Sequence, residues 1–271
     1  MKQPVAASPT NPVLFVPHGG GPLPLLGDPH HAGLVRFLGA IAAELCQPAA
    51  ILVISAHWEA QVPTLSGGAR PALIYDYTGF PEASYSIEYP APGAPMLAAA
   101  IRDMLQDAGI AAELDARRGF DHGVFVPLRL MYPEATIPCL QLSLVRGLDP
   151  GLHIRMGKAL AGLRARNVLV VGSGFSFHNL RAFFTSRPGT PDTDNESFQD
   201  WLVETCTGSG LSEQAREQRL VEWEQAPHAR YCHPRAEHLL PLHVCYGIAG
   251  GPARVVFDAE VLGKRAVGLL W

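Results

Sequence analysis

Three short runs of β-branched and aliphatic residues constrain the fold of this chain more than any other feature. They lie at residues 13–16, 51–54 and 168–171, and two weaker runs follow at 137–144 and 253–258. Runs of about four to eight such residues, bounded by glycine or serine, are typical of strands that are buried on both faces. The chain is therefore predicted to build a sheet that other elements cover on either side.

Segments rich in alanine and leucine separate these runs and are predicted to form helices. They span residues 30–46, 94–108, 152–164, 196–205, 213–223 and 233–247. Alternating strands and helices favour an α/β fold with a mostly parallel central sheet and helices on both faces. The segments 59–95 and 186–194 are rich in proline and glycine, and we interpret them as long functional loops rather than linkers. A single domain over residues 1–271 is the prediction.

Composition excludes several classes of function. The chain of 271 residues is 48% hydrophobic and carries a net charge of −4 without a cluster of lysine or arginine, which argues against a nucleic-acid partner. Its five cysteines are odd in number and form no C-x-x-C pair, so we expect reduced, mostly buried thiols. The amino terminus lacks an apolar signal region, and the longest apolar stretch, 49–56, is far shorter than the ~20 residues of a membrane-spanning helix. We predict a cytoplasmic protein that does not associate with membranes.

A histidine follows each of the three strong strands within a turn of small residues. His18 follows the first run, His57 the second and His178 the third. Because ligands bind at the carboxyl ends of parallel strands, these imidazoles are expected to gather at one edge of the sheet. Imidazole is the commonest neutral metal ligand, and Fe(II) and Zn(II) are among the ions that favour it. The sequence therefore predicts a metal site at this edge.

Two further groups of residues offer histidines to the same site. Asp121 and His122 lie at the start of a predicted helix, where His122 either contacts a substrate or bonds to Asp121. Late in the chain, His233, His238 and His243 are spaced five residues apart. On a helix that spacing rotates successive side chains by about 140°, so at most one of the three is expected to face the site.

Six groups of residues, spread over nearly the whole chain, together form a specific pattern. They are His18-Gly19-Gly20, Ser55-Ala56-His57-Trp58, Gly79-Phe80-Pro81 with Tyr89-Pro90-Ala91-Pro92-Gly93, Gly119-Phe120-Asp121-His122-Gly123, His178-Asn179-Leu180, and Glu237-His238-Leu239-Leu240-Pro241-Leu242. In this order and spacing the chain resembles class III extradiol ring-cleavage dioxygenases, specifically the 4,5-DOPA dioxygenase extradiol type. The resemblance implies that residues 1–271 form one catalytic domain of the class III extradiol dioxygenase kind.

The resemblance also implies a non-haem Fe(II) site with His18 and His57 as two protein ligands. Class III enzymes outside this branch use a carboxylate as the third ligand, which completes a triad of two histidines and one carboxylate. The pattern of the 4,5-DOPA type places a histidine there, which is His238 in this chain, with Glu237 as the rival. The implied substrates are a small aromatic catechol and O₂, and the implied product is a ring-opened semialdehyde acid.

Further roles follow from the same resemblance. His178 is the expected acid/base, because histidine can remove a catechol proton near neutral pH and later return it. It also lies close enough to bind the metal in a zinc-loaded, substrate-free form. His122 is expected to contact the substrate. Trp58 and the loop 75–93 either shape an aromatic pocket or, for Trp58, pack behind His57.

Other functions compete with this interpretation. A zinc hydrolase also uses imidazole ligands, with Glu59 as the nearby candidate base. A serine hydrolase is suggested by Ser176, although a glycine of the nucleophile-elbow pattern is replaced by His178. A non-catalytic, Memo-like metal-binding interaction protein is the third alternative. The sequence leaves open which catechol is the substrate, whether Fe(II) or Zn(II) is the native metal, and whether the chain forms a homodimer.

Overall fold

One eight-stranded sheet runs through the molecule in the order β4-β3-β5-β2-β6-β1-β8-β7. The computed structural model describes residues 11–45, 47–185 and 191–271. The strands are β1 Val13–Pro17, β2 Ala50–Ala60, β3 Thr64–Ser66, β4 Glu113–Asp115, β5 Cys139–Val145, β6 Val168–Gly174, β7 Arg254–Val261 and β8 Lys264–Leu270.

The four central strands, β5-β2-β6-β1, are all parallel. Every residue of β1, β5 and β6 is buried, as their apolar runs predict. Antiparallel pairs flank this centre, where β8 lies between β1 and β7 and β3 pairs with β5. The predicted mostly parallel sheet is therefore confirmed, and each of the five predicted strands is present.

The hairpin of β7 and β8 was only half predicted, because 264–270 contains charged and glycine residues among its apolar ones. Its turn is made by Leu262 and Gly263, whose φ angles of 55° and 72° are both positive. Two consecutive positive φ angles give the hairpin turn whose twist matches that of paired strands. This short loop forces β8 to run antiparallel to β7, and β8 also pairs antiparallel with β1.

Nine α-helices occur within the described ranges. They are α1 Ala32–Ile41, α2 Pro95–Asp107, α3 His122–Met131, α4 Pro150–Ala159, α5 Leu180–Thr185, α6 Thr193–Thr207, α7 Glu213–Val221, α8 Ala229–Cys232 and α9 Leu240–Ala249. Ahead of α1, which lies within the predicted helix 30–46, a 3₁₀ turn at Pro29–His31 follows Asp28, whose side chain accepts a hydrogen bond from the His30 amide at 2.9 Å. The predicted helix 233–247 is wrong in its first half, since α9 begins only at Leu240, with Pro241 in its first turn.

Helices cover both faces of the sheet, as two neighbouring residues of β6 show. Successive strand residues point to opposite faces. At Gly172 a Cβ atom would lie 2.5 Å from Sγ of Cys245, so α9 packs directly on the backbone of that face. On the other face the Ser173 hydroxyl donates to the carbonyl of Gly123 in α3. The predicted arrangement of helices on both faces is confirmed.

Two other expectations concern thiols and membranes. Cys139, Cys206, Cys232 and Cys245 are free and buried, as predicted, whereas Cys46 lies outside the described residues. Residues 186–190 of the predicted loop 186–194 also lie outside them. Among the helices that the structure describes, none has both the length and the apolar character needed to cross a membrane.

Buried histidines away from the sheet edge bond to the backbone. His243 of α9 is fully buried, and its Nε2 lies 2.8 Å from the Leu220 carbonyl, to which it donates. Burial lowers the pKa of His243 to about 4. The imidazole is therefore neutral in the folded protein near neutral pH, while the unfolded chain titrates near the ordinary value of about 6.5.

This difference predicts an acid-sensitive contribution to stability. Below about pH 6.5 the unfolded chain binds a proton at residue 243, whereas the folded protein does not bind it until the pH approaches 4. The free energy of unfolding therefore falls by up to about 3 kcal/mol as the pH drops towards 4. In the variant His243→Gln, whose amide can still donate to Leu220, this contribution should vanish. Urea denaturation between pH 7 and 4 checks it. Parallel stability curves for the two proteins would contradict the buried-histidine explanation.

Candidate metal centre

The carboxyl ends of β1, β2 and β6 bring three histidines to one edge of the sheet. His18 directly follows β1, His57 lies near the end of β2, and His178 lies four residues beyond β6. The pairing of β2 with β5 shifts register between Ile54 and Glu59, so His57 occupies an irregular stretch of strand. Such bulges re-aim side chains next to functional sites.

His238 joins this edge from the segment before α9. Its carbonyl accepts a hydrogen bond from the Phe175 amide at 2.9 Å, directly after β6. A side chain at Gly174 would overlap the same carbonyl. The glycine therefore lets the segment 233–239 lie against the end of β6, which places His238 opposite His18 and His57.

The imidazoles of His18, His57 and His238 form a compact group. One ring nitrogen from each lies within 4.8 Å of the other two, and the Nε2 atoms of His18 and His57 are 3.2 Å apart. The Nε2 atom of His238 is buried and has no hydrogen-bond partner. Burial is the main reason that the pKa of each imidazole is lowered well below its ordinary value. Three neutral rings with converging nitrogens fit a divalent cation.

Two of the three rings have an acceptor at hydrogen-bonding distance behind them, and the third has a carboxylate somewhat farther away. Nδ1 of His18 lies 3.0 Å from the Gly19 carbonyl, and Nδ1 of His238 lies 2.9 Å from Oε1 of Glu237. Nδ1 of His57 is 3.6 Å from a carboxylate oxygen of Asp76. A proton held on Nδ1 by such acceptors leaves the lone pair on Nε2, which is the tautomer that a metal requires.

His178 packs on this group from one side. Its ring stacks on that of His238 with centroids 3.3 Å apart and an interplanar angle of 14°. Its Nδ1 is 3.4 Å from Oε1 of Glu237. Although burial raises the pKa of Glu237, contact with His178 lowers it below its ordinary value overall. Glu237 is therefore a carboxylate between two imidazoles.

His122 lies on the opposite side of the group, at the start of α3. Its ring centroid is 3.9 Å from that of His57 and 5.1 Å from that of His18. Of the two alternatives that the sequence left open for His122, the bond to Asp121 is not made, because Nδ1 of His122 lies 2.8 Å from Oδ1 of Asp76 instead. Burial raises the pKa of Asp76, but hydrogen bonds from His122 outweigh it and lower the pKa to about 2.

Asp76 is a residue of this site that the sequence did not single out. It lies in the loop 59–95, which is rich in proline and glycine, 46 positions before His122. Its position within the sequence Tyr75-Asp76-Tyr77 just before Gly79-Phe80-Pro81 was the available signal. Its contacts with both His57 and His122 arise only when the loop folds over the sheet edge.

Asp121 lies behind His57 and supports its backbone, and it is not one of the side chains that face the proposed metal. It is fully buried, and it accepts hydrogen bonds from Ser55, at 2.7 Å, from Gln141 and from Arg118, at 2.8 Å. Burial raises the pKa of its carboxyl group. The Ser55 hydroxyl in turn accepts from the His57 amide at 3.2 Å. Asp121 thus holds the backbone that carries His57.

His31, another buried histidine, stabilises the turn that follows His18. His31 accepts a hydrogen bond from the Gly20 amide at 3.0 Å, and its other nitrogen lies 2.9 Å from Asp28. Gly19 has a φ of +85°, and a Cβ atom there would lie 2.9 Å from the His31 ring. Glycine is therefore required at this close approach.

The remaining sequence candidates lie outside the group. His233 and His243 bond to backbone carbonyls, so only one of the three late histidines faces the site, as predicted.

The residues that suggested other enzymes are occupied elsewhere. Ser176 is buried, and its hydroxyl accepts from the Val267 amide at 2.8 Å, which removes the exposed nucleophile that a serine hydrolase needs. Glu59 pairs with Arg235. Trp58 is buried beneath the Arg118 guanidinium, 4.9 Å away, and its role stays a prediction.

Comparison with known proteins identifies the family. The model of the LigB family, described as the catalytic LigB subunit of aromatic ring-opening dioxygenase, matches residues 17–268. The chain belongs to this family. The predicted class of enzyme, an extradiol ring-cleavage dioxygenase, is confirmed, and an aromatic substrate and O₂ are implied.

Individual relatives agree with this assignment. The dioxygenase tasH of Hapsidospora irregularis is 42% identical over 96% of this chain and 85% of its own length. The 4,5-DOPA dioxygenase extradiol of Beta vulgaris is 41% identical over 75% of this chain and 74% of its own. A crystal structure of an uncharacterized protein from Escherichia coli K12 superposes with a TM-score of 0.79 at 31% identity, covering 96% of this chain and 99% of that one.

Removal of the buried carboxylate beneath His57 tests this account of the site. In Asp121→Ala the Arg118 guanidinium loses its partner and Ser55 loses its acceptor, so the free energy of unfolding should fall by about 3 kcal/mol or more. In the control Asp103→Ala, which removes the exposed ion pair with Arg102, the fall should be below about 1 kcal/mol. Urea denaturation measures both. Equal values for the two variants would show that Asp121 does not hold the site.

Proposed function

We propose that this LigB-family enzyme is a non-haem Fe(II)-dependent extradiol dioxygenase that cleaves a catecholic ring beside its hydroxyl groups with O₂, giving a ring-opened semialdehyde acid. The observation that carries the proposal is the convergence of three neutral imidazoles, with the Nε2 atom of His238 buried and unpartnered. Relatives named 4,5-DOPA dioxygenase extradiol support the catechol as the class of substrate.

His18, His57 and His238 are the proposed metal ligands. Glu237 is the less suitable third ligand, because its Oε1 atom already accepts from Nδ1 of His238 at 2.9 Å. When bound, Fe(II) supplies open positions for catechol and O₂ and a path for electrons between them. Zn(II) also accepts three imidazoles, so zinc in a purified sample would leave the native metal open.

His122 is proposed to position a substrate hydroxyl group. Asp76 accepts from Nδ1 of His122, at 2.8 Å, and from its backbone amide, at 3.0 Å. These two bonds fix the ring at the start of α3 and leave Nε2 for the substrate. The neighbouring ring of Tyr77, 5.8 Å from that of His122, belongs to the loop that we propose as a wall of the aromatic pocket.

His178 is the proposed acid/base. Glu237 faces its Nδ1 atom at 3.4 Å, which leaves Nε2 to take a proton from a catechol hydroxyl and to return it after ring cleavage. Stacking on His238 keeps the ring beside the ligands. We also propose, from the same geometry, that His178 can bind Zn(II) when no substrate is present.

The cytoplasmic location, the homodimer and the lack of a nucleic-acid partner remain predictions from the sequence.

An oxygen electrode tests the proposed reaction. Protein loaded anaerobically with Fe(II) should consume one O₂ per catechol when DOPA, protocatechuate and related catechols are screened. The variant His238→Ala should lose bound iron and uptake together, whereas His30→Ala, at an exposed histidine, should retain both. Iron-loaded protein that consumes no O₂ with any catechol, or zinc-loaded protein that is equally active, would refute an Fe(II) dioxygenase.

Replacement of the acid/base should separate proton transfer from metal binding. In His178→Gln the turnover number should fall by ~10²–10⁴, because the catechol proton loses its acceptor. The iron content should remain that of the parent protein, since the other three imidazoles are unchanged. Steady-state kinetics and metal analysis of the same sample check this. Loss of iron in parallel with activity would instead make His178 a ligand.

A further inference from the structure

A row of three charged side chains continues outwards from the proposed metal ligands. Glu59, near the end of β2, accepts from the Arg235 guanidinium at 2.7 Å through Oε2, and its Oε1 lies 2.6 Å from another nitrogen of the same group. Arg235 is also 3.3 Å from Oε2 of Glu237. The sequence drew attention to Glu59 only as a possible hydrolytic base, and the structure gives it this partner instead.

The two oxygens of Glu237 face different neighbours. Oε1 accepts from Nδ1 of His238 at 2.9 Å and lies 3.4 Å from Nδ1 of His178. Oε2 is buried without a hydrogen bond, and the guanidinium of Arg235 lies 3.3 Å away. A buried carboxylate oxygen requires a compensating charge. Arg235 is therefore the group that allows Glu237 to point inwards at the two histidines.

We propose that Arg235 and Glu59 are positioning residues of the metal centre. The inference rests on the proposed function only in taking His238 as a ligand. Glu59 fixes the planar guanidinium through two of its nitrogens, the guanidinium holds Glu237, and Glu237 holds the proton of His238 on Nδ1. Without this chain of contacts Glu237 can turn to water, and His238 then loses both its orientation and its metal-binding tautomer.

Exposure alone would class the pair of Glu59 and Arg235 as an ordinary surface ion pair, because the Arg235 side chain is 55% exposed. Two features distinguish it. The side chain of Glu59 is only 22% exposed, and the guanidinium touches a second carboxylate that is 12% exposed. The pair of Arg254 and Glu44 offers a matched contrast, since both side chains are more than half exposed and no proposed ligand adjoins them.

Metal affinity provides the direct test, because it needs neither catechol nor O₂. Full-length protein is titrated with Co(II) and Zn(II) against a competing chelator, and the Co(II) absorption spectrum reports the ligand geometry. Arg235→Gln should weaken metal binding by ~10–100-fold, as loss of groups behind a ligand does. Glu59→Gln should weaken it by less and in the same direction. Arg254→Gln should leave both affinity and spectrum unchanged.

Two further variants separate positioning from other roles. Arg235→Lys retains the positive charge but not the planar guanidinium that can contact two carboxylates. Its metal affinity should therefore lie between those of Arg235→Gln and the parent protein. The double variant Glu59→Gln with Arg235→Gln should be no worse than Arg235→Gln alone, because both changes break one chain of contacts. If Arg235→Gln does not fold, as judged by urea denaturation, the comparison of Glu59→Gln with Arg254→Gln decides.

Contrary outcomes are distinct from one another. Unchanged metal affinity in Arg235→Gln and Glu59→Gln overturns the inference. If KM then rises only for catechols that carry a carboxylate, Arg235 binds substrate instead. A parent protein that binds metal but consumes no O₂ refutes the proposed dioxygenase and leaves the effect on affinity standing.

Discussion

The structure of this site depends on hydrogen bonds made on the far side of its imidazoles. An imidazole can offer a lone pair to a cation only from the nitrogen that carries no proton, so the proton must be held elsewhere. Here the Gly19 carbonyl and the carboxylate of Glu237 lie within bonding distance of Nδ1 of His18 and of His238. The lone pairs that remain converge on one point, and burial keeps the rings neutral.

The parallel centre of the sheet makes this convergence possible. Because β1, β2 and β6 run in one direction, the turns that follow them share an edge. Glycine then allows backbone segments to approach closely where a side chain would collide, as Gly174 does beneath the carbonyl of His238. A buried layer of polar residues supports the edge from below, with Asp121 linked through Ser55 to the backbone of His57.

A different carboxylate contacts a histidine on each side of the site. Asp76 bonds to His122 on one flank, and Glu237 faces His178 on the other. Each carboxylate also lies near a proposed ligand, His57 in the first case and His238 in the second. The same two acidic groups thus contact both the rings proposed to bind the metal and the rings proposed to face the substrate.

The sequence by itself determined the α/β class, the parallel centre and the edge at which His18, His57 and His178 meet, because these follow from local patterns of apolar runs and turns. It also placed one late histidine at the site, although it extended the helix of 233–247 too far towards the amino terminus. Only the tertiary structure decided the partners of those histidines. Asp76 reaches His122 across 46 positions, and Arg235 reaches Glu59 across 176. Such pairings depend on how loops fold over a sheet edge, and no local periodicity records them.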